Sequence, residues 1–309
     1  MSQKKILFIC RKDDRPSYDT GQSMAAAMRT FGSGDIVYGS CDLEDIVFAY
    51  NRKELAVYDG SSGQQLDQYD GIFFLGWFKE SMLEDIALSV ARYAEKKHIP
   101  VLNPEVLHLR SRSKLSQYVI AAINDVSITE FVVVTRREYV FEALKEATLD
   151  YPIIVKAARG SRGANNFLVR SEAELQNVYN NDPERTFVIQ RFIPNEGDYR
   201  LLVMGDTVRL AIHRRSQTDS HVNNTSQGGA ATLVGVDELN PDMLIDAVEI
   251  ATLLRRPVTG IDMIVHKDTN EYFLLEANNM PQLSTGSMVQ EKMQALDAYL
   301  GTWLADQTK

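Results

Sequence analysis

From residue 5 to residue 104 the chain alternates short apolar runs with longer stretches whose apolar residues return every third or fourth position. Lys5–Cys10, "KILFIC", is almost wholly apolar and has the length of a buried strand. Gly21–Phe31, "GQSMAAAMRTF", gathers Ala and Met on one face and predicts a helix. Asp35–Tyr38 is a second strand candidate. "ELAVYDGSSGQQLDQYDGIFFLGW" then reads as a strand, a Gly-Ser turn and a further buried strand at Gly71–Leu75. Glu84–Lys97 is an amphipathic helix, and "IPVLNP" adds a last strand that a proline ends. Strands alternating with helices predict an α/β domain with a mainly parallel sheet over residues 1–104.

The pattern then changes. "LHLRSRSKLSQYVIAAIN" is a basic helical segment, "SITEFVVV" a strand and "YVFEALKEA" a helix. "YPIIVKAARGSRGANNFLVRS" reads as two strands around a glycine loop, "EAELQNVYNN" as a helix and "TFVIQRFIP" as a strand. "DYRLLVMGDTVRLAIHRRS" predicts two antiparallel strands joined at Gly205-Asp206. "LIDAVEIATLLRR" is a helix, "VTGIDMIVH" and "EYFLLEAN" are strands joined by the polar "KDTN", and a helix runs from Val289 to the end. These α+β parts divide as residues 105–189, around the glycine loop, and 190–309. No internal repeat or low-complexity tract is present.

Composition narrows the classes. A chain of 309 residues suits two or three domains, at about 100–200 residues each. With 44% hydrophobic and 24% charged residues it reads as an ordinary globular protein. A formal charge of −9 gives nucleic-acid binding no electrostatic support. The two cysteines, Cys10 and Cys41, argue against a disulfide scaffold and fit a reducing, cytoplasmic compartment. No Cys/His spacing suggests zinc. "MSQKKILFIC" is too short in its apolar part for a signal peptide, and Arg11, Lys12, Asp13 and Asp14 follow at once. No stretch approaches the roughly 18 apolar residues of a membrane span. No GxGxxG occurs, so the usual dinucleotide fold has no support.

Candidate chemistry lies in the second half. Antiparallel pairing of "GIDMIVH" with "FLLEANN" about the turn at Asp268–Asn270 would set Asp262 nearly opposite Glu276. Glu276 and Asn278, two apart, would share a face. Taken singly, Asp262 could cap a turn and Asn278 belong to a loop. Together they are three oxygen donors at one spot, which suits Mg2+. A carboxylate directly after Phe273–Leu275 is costly unless something neutralises it. Lys156 ends a strand before Gly160-Ser161-Arg162-Gly163, a loop able to turn backbone N–H groups toward an anion. The order strand–loop–strand is not a Walker loop. Arg200 and Arg214 each sit in or at the end of a strand and need an anion, from the protein or from a phosphoryl group. Asn223–Ala231, "NNTSQGGAA", can bring amides to a ligand, with Asn224 as the candidate. Arg11 and Asp13 follow the first strand, where α/β sheets commonly bind ligands.

From about Ser111 to Gly286 the chain resembles the ATP-grasp superfamily and, within it, the RimK-like carboxylate–amine ligases. The matching segments, in order, are "RSRSKL", "IIVKAARGSRGANNFLV", "VIQRFIPNEGDYRLLVMGDTVRLAIHRRS", "NNTSQGGAA", "TGIDMIV" and "FLLEANNMPQL". Glu276, Asn278 and Pro281 fit the family's Glu-x-Asn-x-x-Pro ending. The resemblance implies an ATP-grasp fold preceded by a pre-ATP-grasp α/β domain, with residues 105–189 as the lid. ATP would be bound by Lys114, Lys156 and the Gly160, Ser161, Arg162, Gly163 loop. The main chain of Gln190, Arg191, Phe192 and Ile193 would meet the adenine edge, and Glu196 or Asp198 the ribose. Asp262, Glu276 and Asn278 would hold Mg2+, commonly two ions, with Mn2+ able to substitute. A carboxylate would attack the γ-phosphate to give an acyl phosphate, and an amine would displace phosphate. Arg200, Arg214 and Asn224 would stabilise the charge that develops.

Expected partners are therefore small-molecule or peptide carboxylates and amines, with neither nucleic acid nor membrane, in a homo-oligomer, a dimer or a tetramer. The chain departs from the family at Lys156-Ala157, where Lys-Pro is usual, at Arg191, where an acid is frequent, and at "ANN" closing the glycine loop. Two other functions compete: a ligase that builds side-chain esters or amides within a ribosomal peptide, and a non-catalytic ATP-binding module. Retention of the whole metal and arginine set favours catalysis.

Overall fold

Lys4–Cys10 (β1) carries apolar side chains on both faces, and the structure uses both. In this computed structural model, which describes residues 3–12, 18–76, 81–104, 113–158, 165–215 and 230–307, β1 pairs in parallel with Ile36–Asp42 (β2) and with Gly71–Leu75 (β5). Val101–Leu102 (β6) completes the parallel sheet in the order β2-β1-β5-β6. Ile6, Phe8 and Cys10 point to one side, against Met24 and Met28 of Gly21–Phe31 (α1). Leu7 and Ile9 point to the other, against Ala87, Val90 and Ala94 of Ser81–Lys96 (α2). The α1 helix starts where its sequence says it should: Thr20 and Ser23 form a capping box. A two-stranded hairpin, Ile46–Tyr50 (β3) with Leu55–Asp59 (β4), joins this domain by burying Ile46 and Val57 and leaves its Tyr50 end exposed. The sequence predicts only its second strand.

Two antiparallel sheets follow. The first has the order β7-β10-β8-β9, from Phe131–Val134 (β7), Ile153–Ala157 (β8), Asn166–Val169 (β9) and Phe187–Arg191 (β10). Val140–Glu146 (α4) and Glu172–Asn181 (α5) cover one face, burying Leu144, Leu175 and Tyr179. Strand β10 runs across position 189, where the sequence divides the chain.

The other sheet has the order β13-β12-β11-β14-β15, from Asp198–Met204 (β11), Thr207–Arg215 (β12), Ala230–Val234 (β13), Val258–Val265 (β14) and Tyr272–Asn278 (β15). Lys114–Ile123 (α3) and Pro241–Leu253 (α6) pack on one face, where Leu201, Val203, Ile261, Met263, Leu274 and Ala277 lie. The opposite face changes character along β11. Its far end, Leu202 and Met204, is buried with Leu296 and Leu300 of Val289–Asp306 (α7) and with the parallel sheet. Its near end presents Asp198 and Arg200. The C-terminal helix thus fills the angle between the parallel sheet and the five-stranded sheet, and leaves a polar shelf beyond its reach.

Candidate functional site

The shelf is assembled by strand register. Asp262 on β14 faces Arg200 on β11 and Glu276 on β15, and Asp198 faces Arg214 on β12. One irregularity makes this possible. Leu275 is an extra residue in β15: Met263 pairs with Leu274, but Asp262 already pairs with Glu276. Such a bulge resets which face later side chains take. Leu274 and Ala277, three apart, both enter the core under α6. Without the bulge, strict alternation would put Glu276 on the same buried face as Leu274. With it, Glu276 and Asn278 rise onto the shelf beside Asp262, and Asn278 donates its amide to Asp262 Oδ2 at 3.1 Å.

Protein carboxylates supply the anions that the two strand arginines need. Arg200 donates to both oxygens of Asp262, at 2.8 and 2.9 Å. Arg214, 3% exposed, donates to both oxygens of Asp198 at 2.8 Å and reaches Asp262 Oδ2 at 3.0 Å. Burial raises the carboxyl of Asp262, but Arg200 and then Arg214 outweigh it and hold the group down to about 2. Asp198 shifts upward, because its burial outweighs the pull of Arg214. Lys114, at the start of α3, donates to Glu276 Oε1 at 3.0 Å.

The smaller sheet reaches the same point. Lys156 on β8 donates to Gln190 Oε1 at 2.9 Å, and the Tyr118 hydroxyl contacts that oxygen at 3.2 Å. Gln190 is buried and donates in turn to Thr129 Oγ1. The main chain of Gln190 and Arg191 lies in the β8–β10 ladder, while the Ile193 carbonyl accepts from Asn195. Phe192 is half-buried between them, and the Arg191 side chain pairs with Glu130 at the surface. Glu196 pairs with Arg215 in the open. Gly160, Ser161, Arg162, Gly163, Asn224 and Asp13 lie outside the described residues. His213 sits on the other face of the sheet, stacked on Tyr199 with ring centroids 4.5 Å apart.

Lys114, Lys156, Arg200 and Arg214 therefore face Asp198, Asp262 and Glu276, four cations against three carboxylates. Among the described residues no group of three His, Cys, Asp or Glu could hold a metal ion. The donor set here is two carboxylates and one amide oxygen, which suits a hard cation that also takes phosphate oxygens. The residues fit Mg2+ in that mixed form, and the surplus positive charge fits a polyphosphate.

Lys156 gives the site a pH signature. Burial first, and then Lys114, push its ammonium down to about 8, against the pull of Glu276. Phosphate binding would restore the proton. Affinity for ADP is thus expected to fall as pH rises above about 8, approaching tenfold per unit. Calorimetry in buffers of different ionisation enthalpy should register proton uptake, and Lys156→Met should abolish it. For stability the sign is opposite. An unfolded lysine titrates near 10.4, so the folding penalty is full below about 8 and is relieved as pH rises through that window.

Several residues of this neighbourhood carry no signal in the sequence. Gln117 and Tyr118 look like ordinary helix residues, yet they contact β15 on either side of Glu276. Asp19, before α1, accepts from the main chain of Leu283 and Ser284. Lys292 on α7, its ammonium pushed down to about 8 by burial, donates to the carbonyls of Gln282 and Thr285.

The family model for the RimK-like ATP-grasp domain matches residues 111–297. The beta-citrylglutamate synthase B of Mus musculus is 22% identical over 280 residues, 89% of this chain and 70% of that protein. A probable alpha-L-glutamate ligase of Rhodopirellula baltica is 25% identical over 227 residues, 71% of this chain and 53% of that protein. Among solved structures, the ATP-grasp ligase PsnB complexed with a phosphomimetic variant of minimal precursor, Mg and ADP superimposes with a TM-score of 0.67. Sequence identity there is 15%, and the match covers 98% of each chain.

Proposed function

The chain belongs to the RimK-like ATP-grasp family, a family of carboxylate–amine ligases, and from that premise we propose that it joins a carboxylate to an amine with conversion of ATP to ADP and phosphate. The observation that carries this reading is the convergence of Asp262, Glu276 and Asn278 on one shelf ringed by Arg200, Arg214, Lys114 and Lys156.

In this reading Lys156 and Lys114 hold phosphate oxygens, as would the loop of Gly160, Ser161, Arg162 and Gly163. The adenine edge would meet the main chain from Gln190 to Ile193, and Glu196 or Asp198 would take the ribose. Mg2+, as one ion or two, or Mn2+ in its place, would neutralise phosphate charge when held by Asp262, Glu276 and Asn278. The substrate carboxylate attacks the γ-phosphorus, ADP leaves and an acyl phosphate remains. The amine then attacks the acyl carbon, loses a proton and expels phosphate. Arg200, Arg214 and Asn224 stabilise the oxygens that gain charge in both steps. Positioning and electrostatics do nearly all the work, because phosphoryl transfer asks little covalent help of the protein.

Two observations bear on the acceptor. Relatives carry the names beta-citrylglutamate synthase B and probable alpha-L-glutamate ligase. The PsnB structure, matched over almost the whole of both chains, is a complex with a precursor. Amino acids and short peptides, including ribosomal peptides with acidic side chains, are therefore the substrates to try first. With Mg-ATP, one pool of carboxylate and amine should release ADP and phosphate in equal amounts, with a product lighter by one water than the sum of its parts. A nucleotide-binding module without activity would instead raise its melting temperature with ADP and turn over no pool.

A further inference from the structure

Among the described residues β15 is an edge strand, and the main-chain groups on its outer side have no strand to pair with. After the bulge at Leu275 those groups are occupied by side chains. Gln117, 2% exposed, closes a two-bond ring with Ala277: the Ala277 N–H donates to Oε1 at 2.9 Å, and Nε2 donates to the Ala277 carbonyl at 3.1 Å. The amide imitates a neighbouring strand at one residue. Arg256, 1% exposed in the turn between α6 and β14, donates to the same carbonyl at 2.8 Å. The Tyr118 hydroxyl donates to the carbonyl of Leu275, the bulged residue itself, at 2.6 Å. Ala277 is the link between Glu276 and Asn278. Its own side chain does nothing on the shelf, but its peptide groups fix the direction in which both neighbours point.

We propose that Gln117 and Arg256 are positioning residues for the metal-binding end of β15. They touch neither nucleotide nor metal, and act by locking the Ala277 peptide so that Glu276 and Asn278 present their oxygens together. Gln117 shares a helix with Lys114 and Tyr118, so one helical turn grips the Glu276 carboxylate, the Ala277 main chain and the Leu275 carbonyl. The proposal rests on the metal role given to Glu276 and Asn278.

The test titrates Mg2+ against the full-length chain at saturating ADP and follows the rise in melting temperature, with ADP alone as reference. Gln117→Met keeps the length but leaves the Ala277 N–H without its partner. It should raise the Mg2+ concentration for half of the effect about tenfold, the scale seen when a group behind a metal ligand is removed. The stabilisation by ADP alone should stay unchanged. Gln117→Glu keeps the acceptor but sets a carboxylate oxygen against the Ala277 carbonyl. It therefore loses the Nε2 donor of the ring, and its Mg2+ midpoint should rise in the same direction as that of Gln117→Met. If both variants fold and their Mg2+ midpoints stay within about twofold of wild type, the groups are merely structural and the proposal fails. If only Gln117→Glu folds, its midpoint decides alone. Glu276→Gln, run in parallel, separates the two levels. If it leaves the Mg2+ midpoint unmoved, the metal assignment has failed. If it shifts the midpoint and the Gln117 variants do not, only the positioning role has failed.

Discussion

Glu276→Gln is expected to lower ATP turnover by at least about a hundredfold without unfolding the protein, a loss on the order of 3 kcal/mol of transition-state stabilisation. The substitution keeps size and shape. It removes one negative charge from the point where Asp262, Asn278 and Lys114 converge. The amide keeps an oxygen that can accept from Lys114, so that contact loses charge but not its hydrogen bond. Stability should therefore move little while ADP release nearly stops. ADP binding without Mg2+ should survive, because Lys156 and Gln190 are untouched. Wild-type rates in this variant would show that the reaction does not use this strand end.

The second large effect is on the fold. Arg214 is buried between Asp198 and Asp262, and satisfies three of their oxygens. Arg214→Met leaves Asp198 in a pocket with its charge uncompensated. Removing one partner of a buried pair costs about 3–5 kcal/mol, so unfolding by urea should begin at a clearly lower concentration. The loss should shrink as pH falls. Burial already shifts Asp198 upward, and without Arg214 its folded-state value rises further above that of the unfolded chain, so the folded protein gains stability by taking up a proton. Asp198→Leu added to Arg214→Met should restore most of the stability, since apolar groups of similar volume can replace a buried ion pair at no net loss. It should not restore turnover. A single variant as stable as wild type would mean that Asp198 is not held by this arginine.

Period and punctuation explain which parts were legible beforehand. "GQSMAAAMRTF" could only bury its Met and Ala face as a helix, and α1 has the predicted ends. The meeting of Asp262 with Glu276 followed from two apolar runs and a short polar turn, and the register agrees. Hairpin strand β3 gives no readable alternation because Ile46 is buried while Phe48 and Tyr50, on the same side, are exposed. Strand β13 lies against β12 with mostly exposed side chains, which again leaves no alternation to read. The bulge at Leu275 was illegible for a different reason. Nothing in "FLLEAN" marks an extra residue, and only the core beneath, which claims both Leu274 and Ala277, decides it. The carboxylates that meet Arg200 and Arg214 are supplied across the sheet, from positions that no local pattern connects.

The wedge of α7 has a consequence for how such a molecule could breathe. Leu296 and Leu300 share one apolar interior with Phe8 and Met24 on one side and Leu202 and Met204 on the other, and Asp19 stitches the loop after Pro281 to the start of α1. Those two sheets cannot swing apart without exposing that interior to water. Among the described residues the antiparallel four-stranded sheet meets the rest more lightly, through a small apolar patch of Tyr118, Ala158 and Val188 and the hydrogen bond from the Tyr118 hydroxyl to Gln190. Any opening that admits a nucleotide is thus a jaw moving against an anvil: the floor stays fused, and Tyr118 is the pivot.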